Sequence, residues 1–275
     1  MTEAPPSIEV QSGLQIGERP ARSHDFVFVA EREPNRCALL IGREIRDDWE
    51  AGDPEETPAA TAVLASADEV FLPVGDGTPP EQLERFTKGF RRVMNETQQG
   101  LQLGGKEREG EAPSLGLTLG YIDDRRLYIG QVGRDPSYLV RGGKMHRITA
   151  AGPERLSEGE QPLVRDPRST GRDLEVVGGF SDDLDIRTLA LMLEPGDLVL
   201  LCTHGVTAGV PEPILEEAVL ATCQDEDGAS LEAVADAVFE LVPEKRRTVD
   251  RAVALARLPV TRNPKDDASL VRSER

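Results

Sequence analysis

The chain has 275 residues, 38% of them apolar, which is enough for one large hydrophobic core or two modest ones, and a single domain is the simpler expectation. Its 50 acidic residues against 32 basic ones give a net charge of −18, which weighs against nucleic acid and anionic membranes as partners, because both are gripped by clustered Lys and Arg. No apolar run reaches the roughly 18 residues of a membrane span, and the opening MTEAPPSIEV lacks the basic and apolar regions of a secretory signal, so a cytoplasmic protein is expected.

In chain order, residues 1–12 carry too few apolar positions to predict packing and read as a flexible terminus before a domain over 13–260. Short β-branched runs predict strands at FVFVAE from Phe26 and CALLI from Cys37. A helix is predicted from Glu81, where Leu83, Phe86, Phe90, Val93 and Thr97 recur on one face behind Pro79 and Pro80. The charged, Gly-rich segment 100–113 predicts a loop. Strands follow at LTLGYI from Leu117, RLYIGQV from Arg126 and SYLVR from Ser137. Segment 152–172 reads as a second, long loop, of a kind that serves either as a binding element or as a disordered connector.

DLVLLC from Asp197 predicts another strand, Pro213 to Cys223 a helix, and Leu231 to Val242 a second helix stopped by Pro243. AVALARL from Ala252 is the last strand, and residues 261–275 form a polar, flexible tail. Strands that come in runs, rather than alternating with helices, predict an α+β fold: an antiparallel β-sandwich flanked by helices, in α-β-β-α layers. Cys37, Cys202 and Cys223 have neither disulfide-framework nor zinc spacing, and Cys37 and Cys202 lie in strand-like apolar runs as buried small hydrophobes.

Leu191–Gly205, LMLEPGDLVLLCTHG, resembles the segment of the metal-dependent serine/threonine phosphatases (the PPM, or type 2C, family) in which a strand opened by Pro-Gly-Asp runs into a Ser-Asp-Gly turn. Further blocks follow in that family's order. GERPARSHDF (17–26) is similar to its opening motif, CALLIG (37–42) to the strand ending in Asp-Gly, and LGLTL (115–119) to its Gly-Thr-Thr strand. LYIGQVGRDPSYL (127–139) is similar to the Val-Gly-Asp-Ser-Arg strand, 174–179 to the Leu-Thr-Arg-Ala-Leu-Gly segment, and VDRAVAL (249–255) to the closing Asp-Asn strand.

The resemblance implies chemistry in which carboxylates hold two hard cations bridged by a water that attacks phosphorus. Carried over by position, the bridging aspartate falls at Ile41, the Gly-Asp-Ser-Arg aspartate at Arg134 beside Asp135, the Ser-Asp-Gly aspartate at His204, and the first motif's glutamate at His24. Asp25 and Asp250 keep their carboxylates, the residue after Asp250 is Arg251, and the phosphate-gripping arginine falls near Pro20, with Arg19 and Arg22 alongside. The expectation is a pseudophosphatase, a regulatory or protein-binding domain with no metal cofactor, whose partner is a protein or phosphoprotein.

Two alternatives stay open. His24, Asp25, His204 and Asp250 would suit one Zn2+, Mn2+ or Fe2+, and a shifted register that recruits Glu44, Asp47 or Asp48 would restore an active phosphatase with two divalent cations, Mg2+ or Mn2+. Elsewhere, Gly75-Asp76-Gly77 reads as a turn, His146 as a surface residue, and Trp49 as either a partner anchor or a packed loop residue.

Overall fold

The structure, a computed structural model, describes residues 7–17, 23–33, 35–45, 76–107, 114–133, 135–149, 164–165, 184, 186–207, 210–223, 230–243 and 250–259. Among these, two antiparallel sheets stack face to face. One has the order β1-β11-β10-β6-β7, built from β1 (Glu9–Gln15), β11 (Arg251–Arg257), β10 (Leu198–Cys202), β6 (Ser137–Arg141) and β7 (Lys144–Arg147). The other has the order β2-β3-β4-β5-β9-β8, built from β2 (Ser23–Glu33), β3 (Arg36–Ile45), β4 (Ser114–Asp123), β5 (Arg126–Val132), β9 (Arg187–Met192) and β8 (Val164–Arg165). The predicted α-β-β-α sandwich is the observed architecture.

Apolar layers explain why the strands read as continuous hydrophobic runs. Along β3 the side chains alternate: Cys37, Leu39 and Ile41 enter the core between the sheets, with Leu127, Leu139, Val199, Leu201 and Ala254. Ala38 and Leu40 face the other way, against α1 (Pro79–Glu107), whose Leu83, Phe86, Phe90 and Val93 form the predicted stripe. Gly130 lets α1 come this close, because a Cβ there would stand 2.8 Å from the Phe90 ring. On the far face of the five-stranded sheet, α3 (Glu212–Cys223) and α4 (Leu231–Glu240) bury Leu215, Val219, Val234 and Val238. The inner strands β5, β10 and β11 are covered on both faces, so they show no polar alternation.

Helix ends follow capping chemistry. Glu81 Oε2 accepts from Thr78 N at 2.8 Å and from Thr78 Oγ1 at 2.9 Å, closing the first turn of α1. Of the turn predicted at Gly75-Asp76-Gly77, Gly75 lies outside the described residues, and Asp76 and Gly77 form a bend leading into that helix, Gly77 with φ of 143°. Ser230 caps α4 by accepting from Ala233 N at 3.2 Å. No described helix is long and apolar enough to cross a membrane.

Three local expectations differ from the structure. Glu9–Gln15, within and beside the stretch read as flexible, is a strand that pairs along its length with Arg251–Arg257, because backbone hydrogen bonding needs no apolar pattern of its own. Helix α1 continues to Glu107, into the segment read as a loop: Gly100 and Gly104 weaken a helix by about 1 kcal/mol each without ending it. Val164–Arg165, inside the second predicted loop, pairs with β9. Trp49 lies outside the described residues, and His146 sits half-buried on β7 opposite Leu139.

Candidate functional site

At one end of the sandwich, five chain segments bring charge together. Asp25 on β2 and Arg43 on β3 are directly opposed across the ladder, on the face that carries Val27 and Ile41 toward the inter-sheet core. Asp135 lies in the β5–β6 connection, Thr203, His204 and Gly205 stand where β10 turns into the short helix α2 (His204–Thr207), and Asp250 immediately precedes β11. Strand alternation therefore delivers polar side chains only where the apolar layer runs out.

The contacts are closely specified. Arg43 grips Asp25 with two prongs, Nε to Oδ1 at 2.6 Å and Nη2 to Oδ2 at 3.2 Å, and the Asp25 side chain is fully buried while that of Arg43 is 16% exposed. Asp250 uses its carboxylate on the backbone: Gly17 N donates to Oδ1 at 2.7 Å and Asp25 N to Oδ2 at 3.3 Å. Asp135 Oδ1 accepts from His204 N at 2.8 Å. Thr203 Oγ1 accepts from Ala252 N at 3.0 Å, and its hydroxyl also hydrogen-bonds Asp25. Gln131 donates through Nε2 to the Asp135 carbonyl and to Thr118 Oγ1, tying the β5–β6 connection to β4.

Burial sets the electrostatics. Desolvation pushes the Asp135 carboxyl up to about 6, helped by the negative charge of Asp25 and opposed by the His204 N–H and by Arg43. Desolvation also raises Asp25, against the hydrogen bond and charge of Arg43 and the Thr203 hydroxyl. For Arg43, burial works against the cation, but the hydrogen bond and charge of Asp25 and the charges of Asp135 and Asp250 outweigh it and hold the guanidinium above its ordinary value. Three carboxylates thus act on one internal cation.

Of the residues predicted to form a site, Asp25 and Asp250 meet, and His204 contributes its backbone N–H while the residue itself is exposed. His24 pairs through its backbone with Glu44, and its side chain lies outside the described residues, as do Arg19, Pro20, Arg22, Asp47, Asp48 and Arg134. Ile41 is fully buried in the inter-sheet core. Glu44, the described candidate of the shifted register, follows Arg43 directly and so faces the opposite side of β3, away from Asp25. Arg251 is buried on β11.

Sequence reasoning missed Arg43 and Gly205. The first was signalled by strand period alone: Cys37, Leu39, Ile41 and Arg43 share one face, so the residue two past Ile41 ends the inward stripe at its open end. Gly205 was visible as the glycine closing the segment that resembles the Ser-Asp-Gly turn, but its role, which is space, could not be read from that. Among the described residues, no group of three or more His, Cys, Asp or Glu side chains is arranged to hold a metal ion.

No family model and no curated protein matches this sequence. Solved structures do. The Mycobacterium tuberculosis serine/threonine phosphatase PstP superposes with a TM-score of 0.62 at 17% identity, over 92% of this chain and 99% of that one. PppA, a key regulatory component of T6SS in Pseudomonas aeruginosa, gives 0.61 at 16% identity, over 91% and 97%. The S. agalactiae serine/threonine phosphatase gives 0.63 at 13% identity, over 91% and 99%. The chain has the fold of these phosphatases.

Proposed function

We propose that this chain is a noncatalytic member of the phosphatase fold, a regulatory or protein-binding domain without a two-metal centre. Ile41 carries the reading: the position that the motif resemblance gives to the metal-bridging carboxylate holds an apolar side chain, 0% exposed, in the core between the sheets. Isoleucine has no lone pair to share between two cations. Asp25 does not fit such a centre either, because a guanidinium already engages both of its oxygens. The catalytic domain of PstP, by contrast, has been solved in complex with two manganese ions.

The partner in this reading is a protein with a basic face, since a net charge of −18 steers cationic surfaces toward the chain and repels nucleic acid. A cytoplasmic location fits that role. The test is turnover of p-nitrophenyl phosphate by the full chain with added Mn2+, together with metal analysis of the purified protein. The expected result is no metal-dependent turnover and no bound ion. Turnover that requires Mn2+ and vanishes in Asp250→Ala would overturn the proposal, and Zn2+ binding abolished by His204→Ala would replace it with a single-ion site.

A further inference from the structure

We infer that Arg43 is the cleft's own cation: its guanidinium pairs with Asp25 and offsets part of the negative charge that Asp135 and Asp250 add, so the fold closes this end of the sandwich with no divalent ion. Isolated carboxylates gathered at a buried position repel one another, and each loses hydration, so they either hold on to protons or are offset by a positive charge from an ion or from the chain. Here the chain supplies it. Arg43 sits on the inward face of β3 opposite Asp25, holds it at 2.6 and 3.2 Å, and is stabilised by the charges of Asp135 and Asp250.

Its position is fixed from several sides. Gly205 leaves room for the guanidinium, since a Cβ there would lie 2.9 Å from Arg43 Nη2 and 3.2 Å from Asp25 Oδ2. The Thr203 hydroxyl orients Asp25 from the β10 side, and Asp25 N in turn holds Asp250. An arginine fork suits this role better than lysine, because a planar, delocalised cation engages both oxygens of one carboxylate while still facing others. Arg43 is a positioning residue for the site's architecture and has no place in a phosphoryl-transfer step.

This inference rests on the metal-free reading of the cleft, but it is measured in stability and not in turnover, so the two can fail separately. Thermal melting of the full chain is followed with EDTA, with Mn2+ and with Mg2+, for wild type, Arg43→Met and Arg43→Lys. Wild type should melt at the same temperature in all three. Arg43→Met should lose roughly 5–10 °C, as expected when a largely buried pair is broken from one side, and Mn2+ should restore part of the loss. Arg43→Lys should lose less and stay indifferent to metal. If Arg43→Met does not fold, Asp25→Asn/Arg43→Met, which removes the partner charge as well, should fold again. A wild-type Tm raised by Mn2+ or lowered by EDTA overturns the inference, as does an Arg43→Met protein as stable as wild type or a double variant that stays unfolded.

Discussion

A Cβ placed on Gly205 would stand 2.0 Å from the carbonyl oxygen of Asp250. That oxygen is backbone, so no flexible side chain can yield, and the chain entering β11 would have to move away from the turn after β10. The glycine is needed for closeness, since Gly205 is not among the described residues with positive φ. Gly205→Ala should therefore destabilise the protein by about 1–3 kcal/mol, the range for overpacking a filled site. Urea unfolding would show a lower midpoint with an unchanged slope. A midpoint equal to wild type would mean that the turn accommodates the methyl group and that the contact with Asp250 is not tight in solution.

Restoring a carboxylate at Ile41 should not restore chemistry. Ile41 packs between the sheets with Leu39, Ile129, Leu201 and Ala254, so Ile41→Asp puts an ionisable group among side chains that offer it no hydrogen bond. The expected cost is several kcal/mol, against roughly 0.5–1.5 kcal/mol for Ile41→Val, which only removes a methylene. Guanidinium unfolding of both variants measures the difference. An Ile41→Asp protein of wild-type stability with Mn2+-dependent turnover would show that this position faces the cleft after all.

Most of the sandwich was legible because burial on both faces writes a strand as a short, continuous apolar run. CALLI and DLVLLC needed nothing else. Glu9–Gln15 was illegible for the opposite reason: it is held by a backbone ladder to β11, and its side chains alternate between exposed and half-buried with no apolar run. The site was half legible. Asp25 and Asp250 were found as carboxylates in a resembling motif, but Arg43, which holds Asp25, matched no motif and could be placed only by counting pleats from Cys37. His204 drew attention for its imidazole, whereas the contact that ties it to Asp135 is its amide.

The cysteines give a pH-dependent test. Burial pushes the Cys37 thiol up to about 12 from 9.0, with the charge of Glu31 adding to it, and burial raises Cys202 further. Native protein at pH 8 should therefore present only half-buried Cys223 to a thiol reagent, with Cys37 and Cys202 reacting after unfolding. The sign of the stability effect follows: the folded state holds its thiol protons above pH 9 while the unfolded chain releases them. The stability these groups contribute is intact below about 9 and is lost as pH rises toward 12, at up to about 1.4 kcal/mol per pH unit for each thiol. Cys37→Ala should show a shallower alkaline decline than wild type. Identical slopes, or rapid labelling of all three thiols in native protein, would contradict this burial.

The Pro-Gly-Asp turn before β10 supplies a stability prediction with an internal control. Asp197 is 2% exposed and accepts from Arg141 Nε at 3.0 Å, Arg141 Nη2 at 2.6 Å and Glu194 N at 2.7 Å, while its own carbonyl accepts from Leu258 N at 2.9 Å. One carboxylate thus joins the turn to β6, and Arg141 extends the link by donating to Met192 O at 2.8 Å. Asp197→Ala leaves a guanidinium and a backbone amide without their shared acceptor, so a cost of about 3–5 kcal/mol is expected, the range for breaking a buried pair from one side. Glu84 and Lys88 form an i,i+4 pair at 2.8 Å on the open face of α1, with side chains 66% and 73% exposed. Water screens such a pair, and Glu84→Ala should cost no more than about 0.5 kcal/mol. Urea midpoints for the two variants, measured side by side, should differ severalfold in their shift from wild type. Comparable shifts would mean that the Asp197–Arg141 link contributes no more than a solvated surface pair, and that the turn is held by its backbone hydrogen bonds alone.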